Sequence, residues 1–153
     1  MKFKRELRAE DIRSKIEQIL ESLNFIEETM PADFKGFKDS KIIRNALYKE
    51  VEFALENILD ICSIINADLM LGMPEVEDDI IANLEAKKIF NKKIIDKIRE
   101  MKKFRNILIH KYGKIDDKKA FEDIKEGLKD FELIIKEIEN FLKKYNGKAN
   151  RKE

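Results

Sequence analysis

Phe121, Ile124, Leu128, Phe131, Ile135, Ile138 and Leu142 recur at alternating steps of three and four residues. A strand alternates its side chains with period two and would scatter this series over both faces. An α-helix at 3.6 residues per turn gathers all seven into one seam. The C-terminal part of the chain is therefore committed to a long helix with one face to bury. Upstream, Ile12, Ile16, Ile19, Leu23 and Ile26 repeat at steps of four and three, which predicts a helix over residues 6–29.

Between these two the punctuation is sparse. Two prolines and five glycines in 153 residues favour long helices over a many-turned β fold. Pro31 and Gly36 mark a break after the first helix, and Ser40 is placed to cap a second that runs to about residue 71. The later half of that helix is apolar on more than one face (Leu55, Ile58, Leu59, Ile61, Cys62, Ile64, Ile65), so it either sits centrally in a bundle or also faces a partner. Gly72 and Pro74 end it, and a short helix is expected over residues 78–87. Asn91 can cap a helix reaching residue 112, with Gly113 at the left-handed stop, and Asp116 can cap the last one. The expected fold is all-α, an up-down four-helix bundle with one additional short helix. Residues 1–145 form a single domain and 146–153, NGKANRKE, a frayed tail.

Composition narrows the function classes. Hydrophobic residues at 43% and charged residues at 41% describe a folded chain with a heavily charged surface, and the net charge of +1 gives no global attraction to nucleic acid. Any RNA site must be a local patch. With one cysteine, Cys62, and one histidine, His110, the chain cannot form an internal disulfide or a Cys/His zinc site by itself. No metal or cofactor is expected. Residues 1–11 are charged throughout and do not read as a signal peptide, and no apolar run approaches the roughly 18 residues of a membrane span. A soluble, cytoplasmic protein is expected.

One stretch breaks the amphipathic pattern: FRNILIHKYGKID, residues 104–116. On a helical wheel Ile94, Ile98, Met101, Leu108 and Ile109 share a broad apolar face, and Arg105 falls in its middle. A guanidinium in a core stripe is costly unless it is paired or lies at a wet interface. His110 lies about 140° around from Arg105 on a regular helix, whereas Asn106 shares the face of His110. One ideal helix does not aim Arg105 and His110 at a single atom, but a two-fold dimer would join two such helices in a composite groove. A structural reading stands beside this one. His110 is a cation favourable to a helix C-terminus, Arg105 an ion-pair partner for Glu50, Glu52 or Glu56, and Tyr112 an amphipathic rim residue. Lys102, Lys103, Lys111 and Lys114 form either a basic RNA-binding patch or a solvated face.

RNILIHKY resembles the Arg-x4-His-x-Tyr motif of the HepT family, within the HEPN class of small helical ribonuclease domains, including the polar residue after the arginine. LYKEVEFALENILDICSII is similar to the family's second helix and LGMPEVEDD to the turn after it, so the resemblance covers residues 8 to 145. It implies an all-α homodimer acting as a metal-independent endoribonuclease, the toxin of a toxin–antitoxin pair. Arg105 and His110 would be catalytic, with Asn106 supporting them. The implied partners are RNA and a cognate nucleotidyltransferase antitoxin of the minimal (MNT) type, which would transfer AMP to Tyr112. The alternative is a non-catalytic helical dimer that serves as binding partner of that nucleotidyltransferase.

Overall fold

The structure is a computed structural model that describes residues 6–110 and 112–150, with side chains over 6–110 and 113–146. Its order is α1 (Ala9–Thr29), α2 (Phe34–Asp39), α3 (Lys41–Asp68), α4 (Glu77–Ala86), α5 (Lys92–His110), a 3₁₀ turn (Tyr112–Lys114) and α6 (Asp117–Asn150). The four long helices α1, α3, α5 and α6 are the expected bundle, and no strand occurs among the described residues. Each packs on its neighbour in sequence among the long helices, and α6 closes back on α1. The buried core runs through all four, from Ile12, Ile19 and Ile26 on α1 to Ile134 and Ile138 on α6, each fully buried. Of the seven seam residues on α6, six are buried and Leu128 is half-buried against the core.

α3 is the centre. It touches α1, α2, α4 and α5, which explains why its apolar residues do not keep to one face. Cys62, in its middle, is buried. The caps read from the sequence are made. The Ser40 hydroxyl accepts from the Ile43 amide at 3.2 Å, Asn91 Oδ1 from Ile94 at 3.0 Å, and Asp116 Oδ1 from Lys119 at 3.2 Å. Each satisfies one of the donors a helix start leaves open.

Three details differ from expectation. The break at Pro31 contains a second short helix, α2, capped by Asp33, whose side chain accepts from the Gly36 amide at 2.9 Å. It exists to deliver Phe37, fully buried, into an aromatic cluster with Phe34, Tyr48 and Phe121. Gly113 lies inside the 3₁₀ turn and does not take a left-handed stop; among the described residues the positive-φ glycine is Gly72, at 149°. At the other end, α6 runs past residue 145 to Asn150, so the backbone of 146–150 continues the helix; residues 151–153 of the tail lie outside the described residues.

The turn between α3 and α4 is latched. Asn66 and Asn83 both donate from their side-chain nitrogens to the Gly72 carbonyl, at 3.0 and 3.3 Å, and Asn83 donates to Asn66 Oδ1 at 3.0 Å. A Cβ on Gly72 would stand 2.9 Å from the Asn83 amide nitrogen, so glycine is required there by both space and φ. Asp79 caps α4 from within, accepting from the amides of Glu75 at 2.9 Å and Val76 at 3.2 Å. The latch and the cap fix where the first turn of α4 meets α5.

Candidate functional site

The site assembles on the last three turns of α5, where α3 and α4 approach it. Arg105 is 8% exposed, on the same face as Ile94, Ile98, Met101 and Leu108, as the helical wheel requires. Ile109 leaves that face and is 40% exposed.

A buried guanidinium needs a partner in each direction its fork points. Here it has three. Nη1 donates to Glu56 Oε1 of α3 at 2.6 Å, Nη2 donates to Glu77 Oε1 of α4, and Nε donates to Asn106 Oδ1 at 2.9 Å. Burial alone would lower the Arg105 pKa; the hydrogen bond it donates to Glu56 and the charge of Glu77 outweigh it and raise it. Glu56 is one of the three partners foreseen for a structural ion pair.

Glu77 lies in no pattern that could have announced it. It stands 28 residues from Arg105 and reaches it only because the latched turn lays α4 across α5. Its neighbour Asp78 accepts from Lys102 Nζ, one turn before Arg105, and Lys102 also lies 3.9 Å from Glu77. That hydrogen bond holds the Asp78 carboxyl below the usual carboxylate range.

His110 ends α5 and is exposed. Its imidazole has no hydrogen-bond or ion-pair partner among the described residues. Asn106, half-buried, turns its oxygen to Arg105 and not to His110, although the two share a face on the wheel. Tyr112 opens the 3₁₀ turn two residues later; its side chain, and all of Lys111, lie outside the described residues. Of the other lysines, Lys102 is neutralised by α4, Lys103 lines a groove of about 420 Å³ between α5 and α6, and Lys114 is exposed beside Tyr112 in the turn. Lys102, Lys103 and Lys114 do not make one uniform patch.

The arrangement thus offers an exposed imidazole at the end of a helix that buries a firmly held guanidinium. Downstream of the 3₁₀ turn, the start of α6 is pinned. Tyr48 donates to Asp117 Oδ1 at 2.5 Å, and Arg44 lies 3.8 Å from the same carboxylate.

Residues 19–138 match the family described as Ribonuclease HepT-like. The mRNA nuclease HepT of Shewanella oneidensis is 24% identical over 124 residues, which span 81% of this chain and 92% of that protein. The solved structure of a tri-AMPylated HEPN toxin from the same organism, in complex with an MNT antitoxin, superposes with a TM-score of 0.77. It is 24% identical and covers 85% of this chain and 97% of that one. YutE of Bacillus subtilis, described as a cytosolic protein of unknown function, gives a TM-score of 0.66 at 25% identity over 87% of this chain and 92% of its own. These structural likenesses speak to the bundle. The family match runs from the middle of α1 far into α6, over the whole site on α5, and with it the chain belongs to the ribonuclease HepT-like family.

Proposed function

We propose that the protein is the toxin of a toxin–antitoxin system, a metal-independent endoribonuclease that works as a homodimer in the cytoplasm. Its activity is silenced when an MNT-type nucleotidyltransferase attaches AMP to Tyr112. The observation that carries the reading is the pairing, at one end of α5, of the buried Arg105 with the exposed His110, in a chain of the ribonuclease HepT-like family. The relatives support the regulatory half, since the similar toxin is described as tri-AMPylated and bound to an MNT antitoxin.

RNA brings its own nucleophile. The 2′-hydroxyl attacks the adjacent phosphorus, the bond from phosphorus to O5′ breaks, and a 2′,3′-cyclic phosphate and a free 5′-hydroxyl result. The protein has to move two protons and steady the charge on the phosphate. His110 of one protomer takes the proton from the 2′-hydroxyl, and its counterpart across the two-fold gives one to O5′. Arg105 offers the phosphate oxygens a planar set of donors, and Asn106 fixes that plane through Nε. AMP on Tyr112 adds bulk and negative charge beside His110 and repels the RNA backbone.

His110→Ala should lower cleavage of a labelled RNA by about 10²–10⁴-fold with the helical circular-dichroism spectrum unchanged. Full cleavage in that variant would sink the mechanism. Incubation with the nucleotidyltransferase and ATP should add AMP mass to wild type and none to Tyr112→Phe; a modified Tyr112→Phe would overturn the assignment.

A second reading has one observation in its favour. Arg105 is already engaged by two carboxylates, as in a helical dimer that binds or presents itself to the nucleotidyltransferase without cleaving RNA. It predicts partner binding with no RNA cleavage by wild type.

A further inference from the structure

The cations at the end of α5 lie beneath anions. The side chains of Lys102 and Arg105 are 15% and 10% exposed, whereas those of Glu77 and Asp78, bonded to them from the first turn of α4, are 38% and 75% exposed. A phosphate approaching from solvent on this side meets two carboxylates before it meets either cation. Glu56 of α3, 37% exposed, holds Arg105 as well, so three carboxylates face two cations. The local field is acidic where a nucleic-acid site would require the opposite. The third acid of the turn, Asp79, is occupied with the amides of Glu75 and Val76, so it plays no part.

The geometry points to an autoinhibitory contact: Glu77 and Asp78 are an intramolecular stand-in for phosphate on Arg105 and Lys102, and a phosphate backbone binds there only by displacing them. The inference rests on the reading of α5 as the nucleic-acid face. Displacement needs no movement of α4, whose position the Gly72 latch and the Asp79 cap hold. Both carboxylates sit on the solvent side and can swing away by side-chain rotation alone. Their amide counterparts keep the size of the side chains and remove the charge that competes. Binding then becomes tighter, and because Lys102 is released and Arg105 keeps only Glu56, it also becomes more sensitive to salt.

The test uses the full chain and a short fluorescein-labelled single-stranded DNA, which lacks the 2′-hydroxyl and is not cleaved by in-line attack. Anisotropy titrations over a range of salt give affinity and salt slope. The double variant Glu77→Gln/Asp78→Asn should bind about ten-fold more tightly, with the logarithmic salt slope steeper by about 0.7 for each released cation. Asp78→Asn alone, an exposed change that spares Arg105, should give a smaller gain of about three-fold and keeps the test open if the double variant folds poorly. Glu75→Gln removes one charge two residues before Glu77, from a side chain bonded to neither cation, and sets the gain expected per charge from net charge alone. Placed on a Lys102→Gln/Arg105→Gln background, the double change should fall to twice that control gain on a logarithmic scale. A gain per removed charge no larger than that of Glu75→Gln, or one that survives loss of both cations, overturns the inference. Cleavage of a matching RNA by wild type is measured in parallel and bears only on the nuclease reading, so the two can fail separately.

Discussion

Arg105 is the residue on which the site turns, because its guanidinium is held along three directions at once. A lysine carries the charge without the planar fork. Arg105→Lys should lose at least one of the Glu56 and Glu77 contacts and lower stability by about 1–2 kcal/mol in urea denaturation, a value kept modest because both carboxylates are more than a third exposed. An unchanged midpoint would mean that the pairs contribute nothing net. The misfit of an arginine in a core stripe was legible from spacing, and so was Glu56 as one candidate partner. Glu77 was not, because its approach depends on a tertiary turn and not on any repeat. Cys62 gives the opposite case of a reactive residue made inert by packing. Burial pushes its thiol up to about 12, so the folded protein should resist iodoacetamide at neutral pH and react fully in denaturant. Labelling of the native protein, read by mass spectrometry, would show the centre of α3 opening.

At the scale of elements, the long helices were readable because each carries its own periodicity and its own cap. Ser40, Asn91 and Asp116 all cap where their residue types suggest. α2 was invisible for a physical reason. Six residues are too few to display a helical period, and Pro31 just before it and Gly36 within it are residues that normally end helices. Its weight lies in one side chain. Phe37 is fully buried, with ring centroids 5.3 Å from Phe121 and 5.6 Å from Tyr48. Phe37→Ala should cost about 3–5 kcal/mol, seen as a large fall in melting temperature. A small change would show that the cluster collapses around the gap. Tyr48 ties the same cluster to Asp117, and burial, reinforced by the hydrogen bond to that carboxylate, raises its pKa. Packing around α2 thus reaches the start of α6.

Over the whole molecule, acid and base are nearly balanced, so pH acts through particular pairs. Hydrogen bonds from Lys102 and Arg99 hold the carboxyls of Asp78 and Glu85 below their ordinary values. A depressed carboxylate adds stability that is fully present above its unfolded value, about 4, and is lost as pH falls through the folded value. Melting temperature should therefore decline on acidification below about pH 4. Asp78→Asn should flatten the decline, and an identical acid limb in that variant would remove Asp78 from the account. No helix among the described residues is long and apolar enough to cross a membrane. One more consequence follows from His110 being the chain's lone histidine and standing exposed at the end of α5. The protein carries its own spectroscopic label. A proton NMR spectrum in deuterated buffer contains a single imidazole spin system, whose chemical shift can be followed through pH, RNA addition or tyrosine modification without any substitution.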